Sequence, residues 1–365
     1  MSEQDEQSLG VAPRKGRGAL SNRAGRYERQ EQSPVDDGWG QAPQPLPGTQ
    51  RTKVSVDTAR KVIARNDSPD IGFDRSINPY RGCEHGCVYC FARPSHAYLG
   101  LSPGLDFETR LFAKPDAARA LRQELAHPRY KPETIVLGAN TDPYQPVERE
   151  RQLTRQILQV LAEARHPLVI VSKSDLVLRD LDILAPMAAQ GLVSVSISVT
   201  TLDRKLARIM EPRAASPKKR LAAIAGLAQA GVPVGCLFAP VIPAINDSEL
   251  EAVLAAVAEA GAKRAGYVLL RLPLELKELF EEWLAAHFPD RKRRVLDRIR
   301  QARGGRLYDS RFGLRQTGTG PEAQLLATRF KAACRRFGLG AEREVALETR
   351  HFRAPAADDR QLALF

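Results

Sequence analysis

Between residues 134 and 273, short apolar runs alternate with amphipathic stretches of helical periodicity. TIVLGA at 134–139 and LVIVSKS at 168–174 are two of these runs, and a helical pattern follows each of them. This alternation is typical of βαβ units, in which helices cover a sheet of parallel strands. With a first strand around 73–79, about six units fit before Pro273. We therefore expect an α/β fold with an open, partial (β/α)6 TIM-like barrel, short of the eight units of a complete barrel.

The regions on either side of the alternation differ from it. Residues 1–66 begin with a stretch rich in Gly, Pro, Gln and Ser, which predicts a disordered, basic N-terminal tail. Within it, residues 14–26 carry five basic and no acidic side chains, and this arm either contacts phosphates or solubilises the chain. After the barrel at 67–273, we expect a helical, basic C-terminal appendage over 274–345 and a tail over 346–365.

The composition indicates a globular protein of the cytoplasm. Of the 365 residues, 43% are hydrophobic and 27% are charged. No apolar run reaches the roughly 20 residues of a membrane span, so we expect no membrane partner. The N-terminus lacks the apolar region of a secretory signal, and cysteines in the cytoplasm stay reduced and available for metals. The net charge of +12 makes a polyanionic partner plausible.

Three of the five cysteines lie within eight residues, in the stretch GCEHGCVYC. Cys83, Cys87 and Cys90 form a C-x3-C-x2-C pattern directly after the first expected strand. Functional sites of parallel α/β sheets lie at the carboxyl ends of the strands, so this position suits a site. Zinc would need a fourth ligand, which His85 or His96 would supply. An iron–sulfur cubane held by three thiolates would instead keep one iron open for a further ligand.

The cysteine pattern, with an aromatic residue before its last cysteine, resembles the radical S-adenosylmethionine (SAM) superfamily. NPYRGCEHGCVYCFARPSHAYLG resembles in particular the spore photoproduct lyase-like branch of that superfamily, as do TDPYQPVE, EPRAASPKKR and PVIPAIND. The resemblance covers about 75–273. It implies an enzyme in which the three cysteines hold a [4Fe-4S] cluster whose open iron binds SAM. The reduced cluster would cleave SAM to a 5′-deoxyadenosyl radical, with a flavodoxin or ferredoxin as the usual electron donor.

The resemblance also implies a set of SAM-binding residues near the strand ends. They are Tyr89, Asn140, Thr141, Asp142, Lys173, Ser196, Ser198, Glu211 and Arg220. In this assignment the 140–142 group faces the SAM amine, Lys173 faces the carboxylate, and a serine lies near the ribose or carboxylate. Glu211 and Arg220 either hold the ribose hydroxyls and carboxylate or pair with each other. Apolar residues at 241–243 would stack on the adenine.

Each of these positions also has a structural interpretation. Asp142 followed by proline can initiate a turn, Lys173 can be a solvated residue, and the serines can pack inside the barrel. One position departs from the family pattern. Asn140 stands where the lyases have a hydrogen-donating cysteine, and an amide cannot take that role, although Cys236 on the fifth strand could substitute. The resemblance therefore does not imply the lyase reaction itself.

A basic helix beyond the barrel suggests the substrate class. Residues 290–315 hold ten basic and three acidic side chains. Arg291, Arg294 and Arg298 share one helix face, which suits the phosphates of a nucleic acid, although such a face can also be merely solvated. Two alternatives stay open, namely a radical SAM enzyme acting on a peptide or small molecule, and a non-catalytic, zinc-stabilised nucleic-acid-binding module.

Overall fold

The computed structural model describes residues 13–27, 51–341 and 346–356. Its strands are β1 (Lys53–Val56), β2 (Ile63–Arg65), β3 (Arg75–Ile77), β4 (Tyr80–Arg81), β5 (Arg110–Ala113), β6 (Ile135–Leu137), β7 (Leu168–Ser172), β8 (Val193–Ser198), β9 (Val234–Val241), β10 (Arg264–Leu269) and β11 (Gly340–Ala341). Its helices are α1 (Asp106–Thr109), α2 (Ala117–Leu125), α3 (Glu148–Arg151), α4 (Leu153–Glu163), α5 (Leu181–Ala188), α6 (Arg204–Met210), α7 (Pro217–Gln229), α8 (Leu250–Glu259), α9 (Leu276–His287), α10 (Lys292–Gln301) and α11 (Gly320–Phe337).

The main sheet has the strand order β2-β3-β6-β7-β8-β9-β10-β11. All neighbours from β3 to β11 pair in parallel, and only β2 is antiparallel at one edge. The six parallel strands β3 and β6 to β10 confirm the expected α/β fold. All six residues of β8 are buried, as expected for a strand in the middle of a parallel sheet covered by helices. The strand pairing gives an open sheet that ends at β2 and β11. Whether this sheet curves into a partial barrel is not given by the pairing, so the partial barrel stays a prediction.

The N-terminal tail expected over 1–66 is wrong for the segments that the structure describes there. β1 and β2 lie in this region, and β1 pairs with β5 in a second, three-stranded sheet with β4. Residues 13–27 pack on the domain, with Ala19 and Leu20 buried. The apolar pair and the backbone hydrogen bonds of this segment hold it in place, although its composition resembles that of a tail. Residues 1–12 and 28–50 lie outside the described ranges.

The C-terminal region is also part of the domain. The predicted helices correspond to α9, α10 and α11, but β11 then extends the main sheet beside β10. The tail expected over 346–365 is wrong for 346–356, since the Arg353 N–H donates to the Ala164 carbonyl and the Phe352 ring lies 5.5 Å from that of His166. Residues 342–345 and 357–365 lie outside the described ranges. None of the described helices is both long and apolar enough to cross a membrane.

Candidate active site

The cysteine loop follows β4 and begins with two tight turns. The φ angles of Gly82 and Gly86 are 77° and 68°, a left-handed conformation that favours glycine. The Cys83 N–H donates to the Phe107 carbonyl at 2.9 Å, and the Cys90 N–H donates to the Cys87 carbonyl at 3.2 Å. Cys83 and Cys87 are buried and Cys90 is half-buried. The three thiols therefore lie on one compact loop, as the spacing predicts.

A buried ion pair supports this loop. Arg93 and Glu108 are paired, and both side chains are completely buried. Arg93 also donates to the backbone carbonyls of Cys87 at 2.9 Å and of Gly86 at 3.2 Å. Gln145, which sequence reasoning missed, clamps the loop from the other side, because it accepts from the Glu84 N–H and donates to the Gly82 carbonyl. The loop geometry is thus held by side chains from distant parts of the chain.

Glu211 and Arg220 pair with each other, which is one of the two roles expected for them. Glu211 also accepts hydrogen bonds from the hydroxyls of Tyr89 and of Thr200, the latter at 2.9 Å. Arg220 donates to the Ser198 carbonyl at 3.1 Å. Glu211 and Arg220 are both buried, and neither lines the cavity described below. Their network connects Tyr89 of the cysteine loop to β8, and SAM binding by this pair stays a prediction.

Asp142 connects the ends of β6 and β7. Its carboxylate accepts from the Ser172 hydroxyl at 2.8 Å and from the Lys173 N–H at 2.7 Å. His85 Nδ1 lies 3.3 Å away, close enough for an ion pair but without the alignment of a hydrogen bond. Burial alone would raise the pKa of Asp142, but the neighbouring His85 ring and the hydrogen bonds from the Lys173 and Tyr144 N–H groups outweigh it and lower the pKa to about 2. The carboxylate is therefore charged at neutral pH.

A cavity of about 310 Å³ lies between the cysteine loop and the carboxyl edge of the sheet. Residues of five strands line it, among them Val136, Val171, Ser198, Leu237 and Val268. Eight of the expected site residues also line it: Cys83, Cys87, Tyr89, Cys90, Asn140, Asp142, Lys173 and Ser198. Lys173 Nζ lies 5.9 Å from the centre of the Tyr89 ring. The fold thus brings together residues that are far apart in the chain.

Other expected residues lie outside the cavity lining. Thr141 is buried and donates to the Tyr80 carbonyl at 2.8 Å, and Ser196 is buried two residues before Ser198 on β8. Cys236 packs in the core, because successive residues of a strand point to opposite faces and Leu237 faces the cavity. Cys236 is therefore not placed to donate a hydrogen atom in the cavity.

Two parts of the cavity lining differ from the sequence-based expectation, namely its apolar residues and one arginine. Ala239 and Pro240 line the cavity in place of the expected residues 241–243. Arg271, which follows β10, also lines it, and its guanidinium lies 5.0 Å from the ring centre of Phe91. The buried Arg271 Nε has no hydrogen-bond partner within the described ranges. Its position at the carboxyl end of the sixth parallel strand is the sequence signal that could have identified Arg271.

The three thiols have the chemistry of cluster ligands. Burial raises the pKa of all three, most strongly for Cys83 and Cys87. Thiolates at these positions would need a compensating cation, which cluster iron provides. Across the described residues, no three His, Cys, Asp or Glu side chains are arranged as ligands of a single metal ion. In a cubane, however, each cysteine binds a different iron, and three thiols on one loop beside one cavity fit that ligand set.

The basic face of α10 is only partly available. Arg291 and Arg294 are exposed. Arg298, the third arginine expected on the phosphate-binding face, instead pairs with Glu322 at 2.6 Å and with Asp247 at 3.1 Å. The cause is tertiary packing, which places α11 and the loop before α8 against this part of α10.

Comparison with known proteins identifies the family. The family model described as Radical SAM superfamily matches residues 77–257. Uncharacterised proteins of Mycobacterium bovis and Mycobacterium tuberculosis are 38% identical over 274 residues, which cover 70% of this chain and 79% of each relative. A spore photoproduct lyase mutant with bound S-adenosylmethionine and dinucleoside spore photoproduct has a TM-score of 0.58 at 17% identity, covering 79% of this chain and 80% of that chain.

A second lyase structure, a complex with the dinucleoside spore photoproduct, has a TM-score of 0.57 at 17% identity and covers 79% of this chain and 81% of that one. At such low identity these structures support the fold. The superfamily uses a [4Fe-4S] cluster and SAM, so the non-catalytic zinc alternative is set aside. The sequence match and the cysteine loop above the cavity together lead to one conclusion: the chain belongs to the radical SAM superfamily and is a radical SAM enzyme.

Proposed function

We propose that Cys83, Cys87 and Cys90 hold the [4Fe-4S] cluster and that SAM binds in the adjoining cavity. The observation that carries this proposal is the shared cavity of about 310 Å³, which both the thiols and the ends of five parallel strands line. When bound, the reduced cluster cleaves SAM and supplies a 5′-deoxyadenosyl radical for hydrogen abstraction. A flavodoxin or ferredoxin is the proposed reductant.

The polar side chains of the cavity suit the methionyl end and ribose of SAM. Within the described chain, Lys173 pairs with no carboxylate, so we assign its ammonium to the SAM carboxylate. Asp142 is charged and attracts the SAM amine, while its hydrogen bonds keep the ends of β6 and β7 together. Ser198 and Asn140 supply further hydrogen-bonding groups.

The apolar wall suits the adenine. Leu237, Ala239 and Pro240 line one side of the cavity, and an apolar wall beside the purine also excludes water from the reacting centre. We further propose that the sheet curves around the cavity as a partial barrel, since β6 to β10 each contribute at least one lining residue. Tyr89, Glu211 and Arg220 act in this scheme as positioning residues for the cysteine loop.

A nucleic acid is the proposed substrate. Two lyase structures of the same fold are complexes with a dinucleoside spore photoproduct. Two exposed arginines, Arg291 directly before α10 and Arg294 on it, are available for phosphates. Asn140, which lines the cavity, cannot donate a hydrogen atom as a thiol does, so the proposed reaction differs from the lyase reaction in that step. A peptide or small-molecule substrate is the alternative.

Anaerobic reconstitution tests the cofactor assignment. The protein should take up about four irons and four sulfides per chain and, once reduced, release 5′-deoxyadenosine from SAM. Alanine at Cys83, Cys87 or Cys90 should abolish iron uptake. The matched control is Cys334→Ala, because Cys334 does not line the cavity and its loss should leave iron uptake unchanged. Zinc uptake without iron would contradict the assignment.

Oligonucleotide binding tests the substrate class. DNA or RNA should bind with a steep negative salt dependence, and the double replacement Arg291→Ala with Arg294→Ala should reduce the slope by about two phosphate contacts. Arg119→Ala is a control on an exposed arginine of α2. SAM cleavage without substrate should survive the double replacement. Absence of binding at ~50 mM salt, where such contacts are strongest, would favour the peptide or small-molecule alternative.

A further inference from the structure

A second cavity, of about 350 Å³, lies beside the cysteine loop. Four cationic side chains line it: Arg149, Arg204, Arg213 and Lys219. They come from four separate parts of the chain, namely α3, the first turn of α6, the loop after α6, and the first turn of α7. Asp175 is the one carboxylate of this lining. The cavity therefore carries a clear excess of positive charge.

Two of the four cationic side chains form no ion pair with a described carboxylate. Arg213 pairs with Glu84 at 3.1 Å, and Lys219 pairs with Asp175 at 3.2 Å. Arg149 and Arg204 are exposed, and no described carboxylate lies within ion-pair distance of either. Two guanidinium groups thus face a concave site without an anionic partner.

The backbone adds further donors at the same place. α7 begins at the cavity with Ser216 as its N-cap residue, whose side chain makes no capping hydrogen bond. The first bond of this helix is the Arg220 N–H to the Ser216 carbonyl, so the N–H groups of Lys218 and Lys219 precede it and need other partners. A free helix N-terminus attracts anions, because its N–H groups and dipole favour negative charge.

A buried side chain connects this cavity to the first one. His85 is only 1% exposed and lines both cavities, and its Nδ1 lies 3.3 Å from the Asp142 carboxylate. The His85 carbonyl accepts from the Arg213 N–H at 3.2 Å, which couples the cavity to the cysteine loop. An anion in the cavity would thus lie directly against the segment between Cys83 and Cys87.

We infer that this cavity binds the phosphate groups of a compact phosphorylated ligand of about the size of pyrophosphate or a nucleoside diphosphate. Guanidinium groups bind phosphate oxygens in pairs, and a helix N-terminus supplies the remaining donors. Convergence of the cations in a cavity of about 350 Å³, rather than along an open surface, favours a compact ligand over a polynucleotide. The inference is independent of the radical chemistry and of the proposed substrate.

Calorimetric titration of the full chain with pyrophosphate, without reconstitution, tests the inference. Pyrophosphate should bind at low salt, and Arg149→Ala and Arg204→Ala should each weaken binding about tenfold, the loss typical of one charge-assisted contact. The Arg204→Lys variant should bind pyrophosphate with intermediate affinity, because lysine keeps the positive charge but lacks the planar guanidinium group that binds two oxygens. Arg60→Ala, a replacement of an exposed arginine elsewhere, should bind like the parent. Unchanged thermal unfolding of the variants establishes that they fold.

Three outcomes would overturn the inference. The first is the absence of pyrophosphate binding to the parent protein at ~50 mM salt. The second is equal pyrophosphate binding by the parent and both alanine variants. The third concerns a polynucleotide as the competing ligand. A single-stranded oligonucleotide that binds more tightly than pyrophosphate, displaces it and loses affinity in both alanine variants would identify the cavity as part of a polynucleotide site.

Discussion

The buried carboxylate of Glu211 shows how a single residue holds the cysteine loop in position. Its partners Tyr89, Thr200 and Arg220 come from three segments, and Glu211 with Arg220 lies in a dry interior. A buried charge of this kind depends on its partner, because removal of one member leaves the other uncompensated. The sequence shows the two charged residues nine positions apart, but it does not show that Tyr89 is the third member.

Replacement of this carboxylate should destabilise the domain strongly. Glu211→Ala leaves the Arg220 guanidinium buried without its anion, and we expect the free energy of unfolding to fall by about 3–5 kcal/mol. Urea unfolding of the protein without cofactors measures this loss. The control Glu259→Ala replaces an exposed carboxylate and should change the free energy by less than about 0.5 kcal/mol. A loss as small as that of the control would mean that the pair is not coupled as described.

At the scale of elements, the N-terminal segment 13–27 is a structural support of the cysteine loop. The N–H groups of Gly18 and Ala19 donate to the buried Glu108 carboxylate at 3.0 and 2.8 Å. Glu108 in turn pairs with Arg93, which binds two carbonyls of the loop. A segment with the composition of a tail is therefore connected to the cysteine loop through one carboxylate.

A methyl group at Gly18 should separate these elements. A Cβ atom there would lie 1.8 Å from the Gly86 carbonyl oxygen, so Gly18→Ala must displace the segment or the loop. We expect a loss of about 1–3 kcal/mol of stability and less iron retained after exposure to air. Gly72→Ala is the matched control, because nothing lies within 4 Å of a Cβ atom at that position. Equal iron retention and equal unfolding midpoints in both variants would exclude the support role.

At the scale of the whole molecule, an aromatic cluster connects the C-terminal segment to the amino ends of the strands. His166 lies two residues before the start of β7, and its ring centre is 5.7 Å from that of Tyr130 and 5.5 Å from that of Phe352. The Tyr130 hydroxyl lies 2.7 Å from His166 Nε2, and Nδ1 lies 3.0 Å from the Pro167 carbonyl. A neutral imidazole satisfies both contacts, since Nδ1–H donates to the carbonyl and Nε2 accepts from the hydroxyl.

This cluster predicts a loss of stability in mild acid. Burial, assisted by the charge of Arg75, lowers the pKa of His166 to about 4, although the Pro167 carbonyl favours the charged form. The unfolded chain takes up the proton near pH 6.5, so stability falls as the pH decreases from about 6.5 to about 4, by on the order of 3 kcal/mol. Urea unfolding across this range should show a weaker pH dependence for His166→Gln than for the parent. The exposed control His127→Gln should follow the parent curve, and identical curves for all three proteins would contradict the assignment.

Patterns that are local in the chain predict the fold class and the cysteine loop. Apolar runs alternating with helical stretches indicate parallel strands, and six such strands are present. The spacing of Cys83, Cys87 and Cys90 predicts one compact loop of three thiols, which fits the corners of a small cubane cluster. Both features are encoded within short segments, so the sequence alone was sufficient for them.

The tertiary structure alone decided which polar groups face the cavity and which are used by the protein. Lys173 faces it, whereas Glu211 is bound by Tyr89 and Arg220, and Arg298 is bound by Glu322. These partners lie between 9 and 122 residues apart in the chain. Such contacts depend on how helices and loops pack over the sheet, and local hydrophobic periodicity carries no information about them. For the same reason, the composition of residues 13–27 did not show that this segment binds Glu108.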